Sequence, residues 1–81
     1  MTNLEKYDKA FMTNLKVTKE ELPGLKYRGF AAWDSVARMD IIADLEDAFD
    51  IMMEMKDILD LNSYVHGKDV LREIYGVNIE G

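Results

Sequence analysis

The sequence predicts an all-α fold: a small four-helix bundle of three longer helices and one short helix, with a long first loop. Three observations lead to this. Apolar residues recur every three or four positions near the start, in the middle and near the end of the chain, which is the period of an amphipathic helix. No stretch alternates apolar and polar residues for long enough to define a strand. Cap-type residues stand where the periodic stretches begin and end.

The first helix runs from about Asn3 to Leu15, with Leu4, Tyr7, Phe11 and Leu15 as its apolar stripe and Asn3 as its N-cap. From Lys16 to Trp33 the period is lost, and Pro23-Gly24 and Gly29 interrupt the chain. A connection of that length in a small domain is functional or pinned, and Leu22, Leu25, Tyr27, Phe30 and Trp33 are apolar enough to pin it. The second helix starts at Asp34 and extends to about Asp50, burying Ile41, Ile42, Leu45 and Phe49. A short third helix is expected around Glu54 to Asp60. Asn62-Ser63 caps a fourth from Tyr64 to about Tyr75, which buries Val70, Leu71 and Ile74 and ends at Gly76.

The 81 residues form a single domain, residues 1–81. Its core is too small to enclose a deep catalytic cleft, and no nucleophile, base and orienting group stand in a recognisable combination, so a non-catalytic protein is expected. Cysteine is absent and histidine occurs once, at His66. This excludes a disulfide framework and a Cys- or multi-His metal site. The first residues, MTNLEKYDKAF, are too polar for a signal peptide, and no apolar run reaches the length of a membrane span. The expectation is a cytoplasmic monomer without membrane insertion.

Net charge is −6 and unevenly distributed: residues 1–33 carry six Lys/Arg against four Asp/Glu, whereas residues 34–81 carry four against twelve. Such a field repels nucleic acid and anionic membrane and attracts basic protein surfaces. The partners expected are therefore proteins.

Placed about 100° apart, Ile41, Ile42, Leu45, Ala48 and Phe49 share the core side of the second helix. Val36, Met39, Asp40, Ala43, Asp44, Glu46, Asp47 and Asp50 share the other. A plain solvated face explains the acids but not Val36 and Met39 among them. A docking face explains both: the apolar centre supplies contact and the acids steer a basic partner. Arg38 falls near the core side, so it must either reach solvent past the preceding loop or pair with a carboxylate.

At the start of this helix Asp34 serves as N-cap, leaving the Ser35 hydroxyl free at the first helical position. A phosphate ester there would sit at the positive end of the helix. The stretch WDSVARMDIIADLEDAFDI resembles the attachment region of the acyl carrier protein family, ungapped from Asp34 to Ile51, and the chain as a whole resembles that family in outline. The resemblance implies that Ser35, preceded by Asp34, carries 4′-phosphopantetheine as a phosphodiester. It also implies that Val36, Met39, Asp40, Ala43, Asp44 and Asp47 face a phosphopantetheinyl transferase and the enzymes that load or use an acyl or aminoacyl thioester. Val36 in place of the usual leucine, Ala37 in place of a frequent acid, and Arg38 point away from the enzymes of ordinary fatty-acid synthesis. Trp33 before Asp34-Ser35 is more similar to stand-alone specialised carriers. The alternative is an unmodified helical protein-interaction module.

Other residues have structural readings. Met52, Met53 and Met55 suit adaptable core filling, and His66 a solvent-facing position in the first turn of the last helix. Asp57 and Asp60 lack the spacing and glycine of a calcium loop, so no metal site is expected.

Overall fold

The computed structural model describes residues 2–79. It contains four α-helices, α1 (Asn3–Leu15), α2 (Ser35–Phe49), α3 (Met55–Asp60) and α4 (Tyr64–Tyr75), with a 3-10 helix at Lys19–Gly24 between α1 and α2. Among the described residues there is no strand; two isolated bridges, Lys26 with Ser63 and Tyr27 with Phe30, are the nearest approach to one. The protein is mostly helical, as its periodicity predicts.

The helix boundaries follow from side-chain capping. Thr2, not Asn3, is the N-cap of α1. Its hydroxyl accepts from the Glu5 N–H at 3.1 Å, and the Glu5 carboxylate accepts from the Thr2 N–H at 2.8 Å. This reciprocal pair satisfies two backbone donors where a lone Asn would satisfy one, and it leaves Asn3 free to reach the Asn78 carbonyl at 3.0 Å. Ser63 caps α4 by accepting from the His66 N–H at 3.0 Å. Gly76 closes that helix at φ 69°, in the left-handed region where glycine bears no Cβ penalty.

The core is built around aromatic rings. Phe11 of α1 meets Tyr7 at 5.0 Å, Trp33 edge-on at 5.2 Å and Tyr64 edge-on at 5.5 Å between centroids. These are favourable quadrupole geometries. Ile41, Ile42 and Leu45 from α2, Leu61, and Val70 and Leu71 from α4 close the cluster. Two carboxylates are also buried, and each has a phenol as partner: Asp8 accepts from Tyr64, and Asp57 accepts from Tyr75 at 2.6 Å. The Tyr7 hydroxyl donates to the Tyr64 carbonyl at 2.6 Å. These two carboxylates and the Tyr7 hydroxyl are thus hydrogen-bonded across the core, whereas the Trp33 Nε1 is buried with no hydrogen-bond partner among the described residues.

Several expectations are corrected. The segment between α1 and α2 is pinned by the buried Leu22, Leu25 and Trp33, as expected, but Lys19–Gly24 within it winds as a 3-10 helix that the sequence did not signal. Ile74 is 52% exposed, since Val70 and Leu71 fill the contact side of α4. Of Met52, Met53 and Met55 only Met53 enters the core, while Met52 and Met55 project outward. His66 is half-buried and its Nε2 lies 3.0 Å from Asp60 Oδ2. Asp57 and Asp60 are therefore each engaged with a side chain. Among the described residues no group of three or more His, Asp or Glu side chains is placed to hold a metal ion, and no helix is long and apolar enough to cross a membrane.

Candidate functional site at the start of α2

The chain entering α2 is fixed before the helix begins. Trp33 has no exposed surface and packs against Phe11. The next residue, Asp34, is the N-cap, its Oδ1 accepting from the Ala37 N–H at 2.9 Å. Ser35 is then the first helical residue and is exposed. A buried indole and a capping carboxylate in the two preceding positions fix where the Ser35 side chain leaves the helix. The cap satisfies the early N–H group, so the serine has no such task.

Lys26 to Trp33 form a tight return that brings a second hydroxyl to Ser35. The Gly29 and Phe30 N–H groups donate to the Lys26 carbonyl, at 3.1 and 3.2 Å, the Trp33 N–H to the Phe30 carbonyl at 2.9 Å, and the Arg28 N–H to the Trp33 carbonyl at 3.1 Å. The return is stitched to the start of α4 by Tyr27 N–H to the Asn62 carbonyl, 2.8 Å, and Tyr64 N–H to the Leu25 carbonyl, 3.1 Å. Its sharpest point is Arg28, a non-glycine residue at φ 64°, an unusual conformation that the surrounding hydrogen bonds hold in place.

The outcome is that Tyr27 Oη stands 3.0 Å from Ser35 Oγ. The Tyr27 ring is bounded by the edge of Trp33, 6.2 Å between centroids. The Arg38 guanidinium lies 3.5 Å from its centroid and that of Arg28 5.4 Å away. Arg38 pairs with no carboxylate among the described residues; it is half-buried and lies over the preceding loop. It stacks on an aromatic face, a cation–π contact worth on the order of 0.5–2 kcal/mol. Its Nε is buried without a hydrogen-bond partner in the protein among the described residues.

The electrostatics divide along α2. Its first turn carries no acid, and two guanidinium groups flank it, whereas acids begin at Asp40. The Tyr27 phenol is held below the ordinary tyrosine value, first by its hydrogen bond with Ser35, then by Arg28, with Arg38 adding positive potential. Arg28 is correspondingly pushed up by Tyr27.

The remaining residues named from the sequence are distributed as follows. Val36 is 71% exposed and Met39 48% exposed, and Asp40, Ala43, Asp44 and Asp47 are exposed too. They do not form one uniform face. Asp44 accepts from Asn14 of α1 at 2.8 Å, and with Asp47 it borders an open groove lined also by Lys6, Lys9 and Thr13. Glu46 faces the α2–α3 connection, where it accepts from the Met53 N–H at 2.9 Å. Ala37 is buried. Val36, Met39, Asp40 and Ala43 therefore remain as exposed surface following Ser35 in sequence.

Sequence reasoning missed Tyr27 and Arg28 as neighbours of Ser35. Tyr27 is eight residues from Ser35, and nothing in that spacing signals the contact. No family model, curated protein or solved structure matches this chain.

Proposed function

We propose that the protein is a carrier of the acyl carrier type, holding an acyl or aminoacyl group as a thioester on a 4′-phosphopantetheine arm esterified to Ser35. The observation that carries this reading is the exposed Ser35 hydroxyl at the first position of α2, directly after the Asp34 cap and ahead of the exposed Val36, Met39, Asp40 and Ala43. The residues around it suit a phosphodiester. The oxygen to be esterified is accessible, a phenol stands 3.0 Å away, and two arginines lie on that phenol's ring. The helix N-terminus adds its own preference for an anion.

Attachment joins Ser35 Oγ to the phosphorus of coenzyme A that bears pantetheine. The pyrophosphate P–O bond breaks, adenosine bisphosphate leaves, and the serine proton passes to a base of the transferase. The arm supplies a thiol that carries the cargo as a thioester; the protein supplies the attachment point and the surface partners recognise. On this reading it is a non-catalytic, cytoplasmic, monomeric bundle of the carrier kind. Its partners are a phosphopantetheinyl transferase and loading and using enzymes with basic docking surfaces. Asp40 and Asp47 support such partners by charge, and Val36, Met39 and Ala43 by contact.

The test is intact mass after incubation with coenzyme A, magnesium and a broad-specificity phosphopantetheinyl transferase. The wild-type chain is expected to gain one phosphopantetheine and Ser35→Ala none. No gain in the wild type, or an equal gain in Ser35→Ala, rejects the carrier and leaves an unmodified interaction module.

A further inference from the structure

We propose that Tyr27 is the positioning residue of the Ser35 site, its hydroxyl orienting the serine oxygen before modification and donating to the phosphodiester afterwards. The inference rests on the carrier reading and adds to it a residue outside the Asp34–Ile51 stretch.

The Tyr27 ring is packed against Trp33 and Arg38, with Arg28 farther off, and its backbone N–H is tied to the Asn62 carbonyl. An aromatic ring fixed this way presents its hydroxyl in a narrow range of positions, and that range includes contact with Ser35 Oγ at 3.0 Å. In the unmodified protein either hydroxyl can donate to the other. When the Ser35 hydroxyl donates to Tyr27 Oη, the hydrogen bond fixes the serine oxygen and leaves its lone pairs for the attack on phosphorus.

Modification removes that symmetry. Once esterified, Ser35 Oγ has no proton, so the only hydroxyl left in the pair is that of Tyr27, and it must donate to the ester oxygen or to a phosphate oxygen beside it. Arg28 and Arg38 are then placed next to an anion instead of next to a neutral hydroxyl pair. This gives the two arginines at the head of an otherwise acidic helix a purpose that packing does not. Arg38 in particular stays stacked on the ring although its Nε forgoes a hydrogen bond.

The same chemistry fixes a measurable sign. In the unmodified chain the phenol is held below its ordinary value chiefly by the Ser35 hydroxyl, then by Arg28, with Arg38 contributing and Asp34 acting on Arg28. Modification takes away the hydroxyl donor to the phenolate and adds a negative charge nearby. Both changes disfavour ionisation, so the Tyr27 phenol must ionise at higher pH after loading than before.

The experiment uses the full chain with tyrosine labelled with carbon-13 at the ring carbon bearing oxygen. Tyr27 is identified by the resonance lost in Tyr27→Phe, and the label is titrated in the unmodified and modified wild-type protein. The expected result is an upward displacement of the Tyr27 midpoint on modification. Tyr27→Phe, which keeps the ring over Arg38 and removes only the hydroxyl, is expected to be modified roughly three- to tenfold more slowly in kcat/KM, the effect of losing one hydrogen bond. Its phosphorus-31 resonance should also be displaced from that of the modified wild type. An unchanged Tyr27 midpoint with the group attached overturns the proposal while the carrier reading stands. Failure of the wild type to gain the group at all overturns the carrier reading and this proposal with it. The wild-type titration decides the matter even if Tyr27→Phe folds poorly.

Discussion

A β-carbon on Gly67 would stand 2.2 Å from the Tyr7 hydroxyl oxygen. The glycine lies inside α4 with an ordinary negative φ, so its role is to make room for the hydroxyl that donates to the Tyr64 carbonyl. Alanine there would gain about 1 kcal/mol of helix propensity, but it drives a methyl into an oxygen that burial keeps from moving. Gly67→Ala is expected to be destabilised by about 1–3 kcal/mol in urea unfolding. In a Tyr7→Phe background the nearest atoms become Leu61 Cγ at 3.3 Å and the ring carbon at 3.4 Å, and most of that cost should vanish. A double-mutant cycle with no coupling would mean that the two residues do not compete for this space.

The same tyrosine sets an alkaline limit. Burial, aided by Tyr64, Asp8 and Asp69, holds the Tyr7 phenol well above its ordinary value, whereas in the unfolded chain it ionises near pH 10. The folded value is the higher one, so the unfolded state binds fewer protons above about pH 10 and stability falls as pH rises. Tyr75 shifts in the same direction, first through burial and then through its hydrogen bond with Asp57. The urea midpoint of the wild type should be flat up to about pH 9.5 and then decline, and Tyr7→Phe should decline less steeply. Equal slopes would show that Tyr7 ionises freely in the folded protein.

The helices could be read from the sequence because each rests on local rules. The stripes of α1 and α2 and the Ser63 and Gly76 caps depend on residues within one turn of each other. The misreadings share a different cause. Thr2 rather than Asn3 caps α1 because Glu5 completes the reciprocal pair. Ile74, Met52 and Met55 project outward because Val70 and Leu71 of α4 and the neighbouring Met53 take the buried positions. The Asp34-Ser35 step was legible as a local motif. Its surroundings were not: Tyr27, Arg28 and Arg38 meet only through the folded return between Lys26 and Trp33, and a helical wheel cannot show an arginine finding an aromatic face on a preceding loop.

The exposed acids of α2 should govern association but not folding. Asp40→Lys together with Asp47→Lys is expected to slow encounter with a basic transferase, with the difference from wild type shrinking as salt is raised. Helical content should stay the same. Asp44→Ala is a separate case, because it also removes the acceptor of the Asn14 amide. It should lower stability by about 0.5–1 kcal/mol. Modification rates at low salt that match the wild type in the Asp40/Asp47 variant would remove the steering role.

Arg38 decides how far the head of α2 can be altered. Its guanidinium gains from the Tyr27 ring 3.5 Å away, and its buried Nε gives up a hydrogen bond to stay there. Truncation removes both effects. The contact is worth on the order of 0.5–2 kcal/mol and an unsatisfied buried donor costs about 1–3 kcal/mol, so Arg38→Ala should remain folded and within about 1 kcal/mol of wild type. With this cation gone the Tyr27 phenol should titrate at higher pH. Arg38→Glu places a carboxylate against the negative face of the ring and should lose stability as well as raise that midpoint. Adding Ala37→Glu, which makes the turn doubly acidic, is expected to be worse still. Ala37 is buried, and an unpaired carboxylate at that position costs several kcal/mol. The acidic turn is therefore expected to cost stability, and partner preference is better tested with Arg38→Gln alone, which removes the charge without burying a new one. Urea unfolding of the four variants and the Tyr27 titration test this order. Wild-type stability in Ala37→Glu/Arg38→Glu would show that the turn opens freely, and loss of folding in Arg38→Ala would make the arginine a structural residue.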